Sequence, residues 1–330
     1  MLQFSRRIVS LTCAWTLMAI VTTAGAQTAA NYPNKPVRVI LPFPPGGSTS
    51  IVARIFSQKF TESWGQSIIV DNRPGGNTII GSEAMVRSPA DGYTLLGVTS
   101  THIINPWLQP KLPYDTFKDF AAISTLTRAD FMMAASTTFP PNTLKDFIAY
   151  AKSHPGKVNS VTVGLGTVQH LVIELFMDAS GTQFTVVPYK GGGPANIDLI
   201  AGVVQITFNN PGSLSSFVKA GKMKGIAISG DRRKAALPNV PTFAEAGFPG
   251  FSAVNWMAML APAATPKDII QKINAEIARA QGSADVKEQI TNQAIDTFPN
   301  TVAATEALIR LDYERYGKVI REKNIKADPE

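Results

Sequence analysis

The sequence predicts an α/β fold of two lobes with a ligand cleft between them. Three observations lead there. The phrase strand, proline and aromatic, glycine pair, helix is written twice. The chain has 330 residues, a length that suits two α/β lobes. No long low-complexity linker interrupts it, so the lobes are joined by crossing strands, a geometry that favours hinge closure on a ligand.

The first phrase begins with Val37-Arg38-Val39-Ile40-Leu41, an apolar, β-branched run of strand length. Pro42-Phe43-Pro44-Pro45-Gly46-Gly47-Ser48 is the turn, and Ile51, Val52, Ile55, Phe56 and Phe60 then recur at helical spacing. Glycine lacks a Cβ, so a ligand can approach the backbone closely. The helix behind it supplies unpaired N–H groups and the positive end of its dipole, so the corner suits an anion. The second phrase is Phe184-Thr185-Val186-Val187, the turn Pro188-Tyr189-Lys190-Gly191-Gly192-Gly193-Pro194, and a helix through Ala195, Ile197, Leu199 and Ile200. One such loop is as readily a tight βα turn. Two matching loops point to two similar lobes, each offering a glycine corner to a shared cleft.

Residues 1–26 read as an export leader. Arg6 and Arg7 form its basic start, residues 8–21 an apolar stretch too short for a membrane span, and Ala24-Gly25-Ala26 a cleavage site. The only cysteine, Cys13, lies inside it, which excludes disulfides and thiol chemistry from the mature chain. Export without disulfides places the protein in the bacterial periplasm. The chain carries 31 basic and 24 acidic residues, and loss of Arg6 and Arg7 lowers the net charge to +5. The charges are scattered, which suits a solvated surface and not nucleic-acid binding. A monomer without cofactor or metal is expected.

The elements follow in order. Ile68-Ile69-Val70 is a short strand ending in the loop 71–76. Gly76-Asn77-Thr78-Ile79-Ile80-Gly81 has the glycine spacing of a phosphate loop, but Ser82-Glu83 stands where Lys and Ser/Thr should follow, so nucleotide binding is rejected. Tyr93-Thr94-Leu95-Leu96-Gly97-Val98 is the third strand. It ends in the polar run Thr99-Ser100-Thr101-His102, at the strand edge where open α/β sheets bind ligands. Residues 105–119 lack a period and read as a surface excursion. Phe120-Ala121-Ala122-Ile123 and Phe131-Met132-Met133-Ala134 carry the chain into the second lobe, and Trp256-Met257-Ala258-Met259-Leu260 returns it. The first lobe is thus assigned to residues 27–130 and 256–330, the second to 131–255.

Thr143-Leu144-Lys145-Asp146 is a capped helix start. Gly164-Leu165-Gly166-Thr167 opens the helix of Leu171, Leu175 and Phe176 and offers a third possible anion corner. Val203-Val204-Gln205-Ile206-Thr207-Phe208 reads as a strand ending at Asn209. Thr265-Pro266-Lys267-Asp268 starts a helix with a threonine cap, and Ile269, Ile270, Ile273 and Ile277 form its buried stripe. Residues 301–320 form a last amphipathic helix.

No catalytic signature is present. There is no G-x-S-x-G and no H-E-x-x-H, and His102, His154 and His170 lack ligand spacing. Neither glycine loop contains an aspartate or glutamate, so neither carries an acid/base pair of its own. The reading is a binding protein, with an enzyme acting on small carboxylates as the rival.

The same residues carry a family likeness. Tyr32-Pro33-Asn34-Lys35-Pro36, Phe43-Pro44-Pro45-Gly46-Gly47, Val70-Asp71-Asn72-Arg73-Pro74-Gly75, Pro89-Ala90-Asp91-Gly92-Tyr93-Thr94-Leu95, Leu112-Pro113-Tyr114-Asp115, Tyr189-Lys190-Gly191-Gly192-Gly193-Pro194-Ala195 and Leu237-Pro238-Asn239-Val240-Pro241-Thr242-Phe243-Ala244-Glu245-Ala246-Gly247 stand in family order across the mature chain. The chain resembles the Bug family, periplasmic solute receptors of tripartite tricarboxylate transporters. The resemblance implies a periplasmic-binding-protein-like, Venus-flytrap fold. It also implies a small organic carboxylate held between the glycine loops and delivered to membrane transporter subunits, or presented to a sensor kinase. Phe43, Gly46, Gly47 and Ser48 would belong to the first clamp. Lys190, Gly191, Gly192, Gly193, Pro194 and Ala195 would belong to the second.

Three departures bear on specificity. Ser50 stands where the family often has Asp after the first loop. Gln205 and Asn209 stand where it often has Asp in the strand after the second. Asn77-Thr78 replaces the usual Gly-Gly. Neutral Ser50, Gln205 and Asn209, with Thr99, Ser100, Thr101 and His102, would form a pocket end of hydroxyls and amides. Such an end leads to an expected preference for a dicarboxylate or aromatic acid over glutamate or aspartate.

Overall fold

The computed structural model describes residues 29–45, 48–109, 111–189 and 192–326. The leader lies outside them, as do Gly46, Gly47, Lys190 and Gly191 of the two glycine loops. The strands are β1 (Val37–Leu41), β2 (Ile68–Asn72), β3 (Thr94–Thr99), β4 (Phe120–Asp130), β5 (Met132–Ser136), β6 (Val158–Thr162), β7 (Phe184–Pro188), β8 (Ile206–Asn209), β9 (Met223–Ile228), β10 (Val254–Pro262) and β11 (Asp296–Thr297). The helices are α1 (Ser48–Trp64), α2 (Ile79–Val86), α3 (Thr101–Leu108), α4 (Leu144–Ser153), α5 (Val168–Ser180), α6 (Gly192–Ala201), α7 (Pro211–Lys219), α8 (Lys267–Gly282), α9 (Ala284–Asn292) and α10 (Val302–Glu322).

Two sheets form, in the orders β11-β4-β10-β3-β1-β2 and β7-β6-β8-β5-β9. Each is the centre of one lobe of a two-lobed α/β fold. In the first sheet β1 runs parallel to β2 and β3, so Leu41, Asn72 and Thr99 end at one edge. β10 is antiparallel to β3, with Met257 opposite Thr99, and β4 is antiparallel to β10, with Asp130 opposite Val254. The end of β4 and the start of β10 therefore lie at that same edge. In the second sheet β6 is parallel to β7 and β8, and Met132 of β5 pairs with both Asn209 and Ile228. The chain thus leaves one sheet at its carboxyl edge and enters the other at its carboxyl edge. That places the glycine loops of both lobes on facing edges.

The passage itself is short. Phe131 separates β4 from β5. Its carbonyl accepts from Ser229 N at 2.8 Å, and its N–H donates to Ser229 Oγ at 2.9 Å. Ser229 Oγ in turn donates to the Ala253 carbonyl just before β10. Outgoing and returning chains are thereby tied at one point. The segment beyond Ser229 folds back on the second lobe, where Phe243, Phe248 and Phe251 pack on Phe176.

An ion cluster sits beside this tie. Lys234, 7% exposed, lies 2.6 Å from Asp130 and 2.5 Å from Asp296 of β11, and Arg128 lies 3.2 Å from Asp130. Two other contacts bring the lobes together through glycine. A Cβ placed on Gly166 would lie 2.4 Å from Leu108 Cδ1, and one on Gly212 would lie 2.3 Å from the Gln293 carbonyl oxygen. Lys323, the residue after α10, pairs with Asp178 of α5 across the same division.

Differences from the sequence reading are local. Residues 105–108 are helical, and Asn105 is fully buried. Pro106 hid this helix, because proline removes a donor and usually marks an end. The strand expected from Val203 starts only at Ile206, after a left-handed turn at Gly202. Thr265 does not cap α8, whose first turn follows Pro266. Thr143 does cap α4, accepting from Asp146 N at 3.2 Å.

Removing Lys234 leaves the buried Asp130 with Arg128 alone, and takes from Asp296 its closest cation. Lys234→Ala is expected to lower stability by about 3–5 kcal/mol, read as a shift in the denaturant midpoint. An unchanged midpoint would show that the cluster contributes nothing.

Candidate functional site

The first glycine loop is held from beneath by two side chains. Asn72, the last residue of β2, donates from Nδ2 to the Phe43 carbonyl at 2.9 Å and to Ser50 Oγ at 2.9 Å. Ser50 Oγ donates to the Pro44 carbonyl at 3.3 Å. Ser50 is 1% exposed, so the structure corrects its expected place at the pocket's specificity end: it braces the loop. Ser48 is exposed at the first position of α1. Asn72 was not singled out in the sequence, although an amide at the carboxyl end of a strand beside a glycine turn is the signal for such a brace.

The second loop has its own brace. Tyr189 N donates to the Thr162 carbonyl at 2.8 Å, and Tyr189 Oη donates to Asp198 Oδ2 at 2.6 Å. That hydrogen bond to a carboxylate pushes the Tyr189 phenol up to about 12. Gly192, Gly193 and Pro194 head α6, and Ala195 is buried beneath them. Nothing lies within 4 Å of a Cβ placed on Gly192 or Gly193. Asp198 was also missed, since only the fold brings it back to Tyr189.

The third corner is committed elsewhere. Gly166 N donates to His170 Nδ1 at 3.0 Å, and Thr167 Oγ1 donates to the Gly164 carbonyl at 2.8 Å while capping α5. Leu108 fills the space beside Gly166. Gly166 thus meets the other lobe at Leu108, and the Thr167 hydroxyl is taken up by Gly164 and the cap of α5 in place of the expected anion corner. His170 Nε2 faces Glu174 Oε1 at 3.6 Å, the role of a packed helix residue.

The polar run after β3 turns inward. Ser100 and His102 are 0% and 2% exposed. The His102 ring stacks on Tyr114 at 5.7 Å and meets the edge of Phe120 at 4.7 Å. Burial lowers its pKa to about 4, so it is neutral at pH 7. This corrects the expectation of a pocket histidine: helix α3 starts at once after the strand and rotates the side chain into the lobe. Gln205 is corrected as well. Its Oε1 accepts from Asn159 N at 2.9 Å, near the start of β6 and so at the far end of the sheet from the loops. Asn209, half-buried at the end of β8, remains at the carboxyl edge, with Oδ1 accepting from Asn210 N at 2.8 Å.

Asn77 is exposed at the same edge of the first sheet. Residues 75–78 all have positive φ: 123° at Gly75, 52° at Gly76, 47° at Asn77 and 79° at Thr78. A left-handed β-branched threonine is unusual, and such positions cost about 1–3 kcal/mol each. The neighbouring α2 presses on the first loop, since a Cβ on Gly81 would lie 2.7 Å from Pro42 Cβ. Among the described residues no group of three or more His, Cys, Asp or Glu side chains is placed to hold a metal.

Two sheets with facing carboxyl edges, each edge carrying a braced glycine loop, define a two-lobed periplasmic binding protein. Residues 52–325 match the family described as tripartite tricarboxylate transporter family receptor. The chain is 34% identical to protein BugT of Bordetella pertussis over 311 residues, covering 93% of this chain and 95% of that one. It is 29% identical to R. palustris Rpa4515, solved with adipate, at a TM-score of 0.78 with 90% and 99% of the two chains covered. It is 30% identical to MatC of Rhodopseudomonas palustris, solved with bound malate, at a TM-score of 0.73 with 88% and 100% covered. The chain belongs to this receptor family, the Bug family of solute-binding proteins.

His102 carries a pH signature. Its folded pKa of about 4 lies below the ordinary 6.5, so the unfolded chain takes up a proton first as pH falls. Stability is unaffected above pH 6.5 and declines from there towards 4, by about 2 kcal/mol between pH 7 and pH 5. His102→Phe, which keeps the aromatic packing, should flatten that part of the denaturation profile. A profile as steep as in the parent would refute the assignment.

Proposed function

We propose that this chain is the substrate-capturing receptor of a tripartite transporter. It works in the periplasm after loss of its leader, holds a small organic carboxylate between the first and second glycine loops, and delivers it to the membrane subunits. The observation that carries this reading is the meeting of two carboxyl edges, each with a glycine loop tied down from below. Adipate and malate in the two R. palustris proteins support the ligand class.

The physical case is backbone capture. Hydrogen bonds to a charged acceptor contribute about 1.5–3 kcal/mol each. Four of them, less the cost of immobilising the ligand, reach the ~8 kcal/mol of micromolar binding. The ionisable groups described near the loops are already partnered: Tyr189 with Asp198, and Asp71 with Arg73 beside the first loop, which supports binding without turnover.

A thermal-shift screen of carboxylates on unfolded-and-refolded protein tests the reading. Ligand at a hundred times Kd should add about 2.7 kcal/mol of stability, a rise of several degrees. Release of product from a bound acid would point to an enzyme instead.

Gly192→Asp should abolish this shift with the fold retained, because the new side chain has room but places negative charge at the clamp. Gly47→Asp should act likewise. Unchanged affinity in both would move the site elsewhere.

Asn72→Ala removes the brace without touching the ligand, and should weaken binding about tenfold, the loss of one hydrogen bond's ordering. Calorimetry on the variant reads this directly, and full affinity would deny the brace its role.

A further inference from the structure

The left-handed turn before α2 has a defined chemical face. Asn105 is 0% exposed, and its Nδ2 donates to the Asn77 carbonyl at 2.7 Å and to Thr78 Oγ1 at 3.2 Å. A backbone carbonyl only accepts, so this end of the Asn105 amide must be the NH2 group. Its Oδ1 is then the acceptor for Asn77 Nδ2 at 2.8 Å. The Asn77 amide orientation follows from the network: the nitrogen faces Asn105, and Oδ1 faces outward as a pure acceptor. Among the described residues no hydrogen bond occupies it.

The turn lies beside the first loop and near a contact between the lobes. The turn leads into α2, whose Gly81 abuts Pro42 at the root of the first loop. Its clamp, Asn105, lies one turn before Leu108, which touches Gly166 of the other lobe. The chain holds Asn77 and Thr78 in a conformation natural to glycine, although two glycines would form the same turn without strain. What the asparagine adds over glycine is the side-chain oxygen.

We propose that Asn77 is a specificity-determining residue whose Oδ1 accepts a hydrogen bond from a hydroxyl on the ligand, so that the receptor prefers hydroxy-carboxylates to the matching acids without the hydroxyl. The inference rests on the carboxylate-receptor reading above. A second carboxylate directed at this oxygen is repelled, because both groups are acceptors. An ammonium would leave a charge unbalanced by any acid on the turn.

The test is calorimetry with matched pairs: malate against succinate, 2-hydroxyglutarate against glutarate, mandelate against phenylacetate. The hydroxy member of at least one pair should bind about tenfold tighter, the equivalent of roughly 1.4 kcal/mol. Asn77→Gly keeps the left-handed backbone and should bring that ratio to near one. The variant relieves strain at residue 77 but loses the bond to Asn105 Oδ1, so its thermal unfolding should remain a single cooperative transition. A ratio that survives in Asn77→Gly, or plain acids that bind as tightly as their hydroxy partners in the parent, would overturn the role of Asn77 and leave the receptor reading standing. Absence of binding by every acid in the screen would overturn both.

Discussion

Ser229 ties the two passages between the lobes. Its N–H donates to Phe131 and its hydroxyl to Ala253, while Phe131 N returns a bond to Ser229 Oγ. Both strands that cross are thus fixed to each other at the one place where neither belongs to a sheet. The facing of the two carboxyl edges depends on this. If the return strand entered from the far end of either sheet, the glycine loops would lie on opposite sides of the molecule. Lys234 reinforces the tie electrostatically, held between Asp130 at the end of β4 and Asp296 of β11. A buried pair is weak evidence for net stability, but it fixes geometry, because either partner alone is costly.

Loops built from glycine and proline can accept an anion but cannot hold their own shape, since glycine gives up more freedom on ordering than other residues. Each loop is therefore supported from a neighbouring element. Asn72 and Ser50 hold the first, the Tyr189–Asp198 bond holds the second, and Asn105 holds the turn beside the first. These supports share one logic: a side chain bonds a backbone carbonyl or a polar group of the loop it holds. The lobes in turn meet where side chains are missing, at Gly166 and Gly212. At Gly212 the neighbour is the Gln293 carbonyl, a harder stop than the Leu108 side chain that faces Gly166.

How much of this was legible in the sequence follows from physical range. The strand–glycine–helix phrase is local, and β1, β3, β7 and β10 fall close to where the patterns put them. The stripe Ile269, Ile270, Ile273 and Ile277 is buried as its spacing requires. The repeated phrase already pointed to two lobes, and the family likeness named the fold they form. Failures came where direction mattered. Ser50, Ser100, His102 and Gln205 are polar residues close in sequence to the loops or to a strand end, and sequence alone does not say which way such a side chain turns. Helix α3 decides it for His102, and the Gly202 turn decides it for Gln205. Asn105 was invisible because its partners, Asn77 and Thr78, come from another loop and its helix contains a proline.

The distribution of ionisable groups gives the last step. Apart from Lys190 of the second loop, the proposed site and its supports rest on backbone amides and on the side-chain amides of Asn72, Asn77 and Asn105, none of which titrates. Tyr189 is pushed up to about 12 and His102 down to about 4, so both keep one protonation state at neutral pH. Paired charges lie at the hinge and between the lobes, at Lys234 with Asp130 and Asp296 and at Lys323 with Asp178, and one pair, Arg73 with Asp71, lies beside the first loop. Burial raises the pKa of Asp296, but Lys234 and Arg232 outweigh that and hold it below the ordinary carboxylate value. The supports beneath the proposed site thus hold one form at neutral pH, and the charge brought by the ligand would be met by loop dipoles together with Lys190 of the second loop.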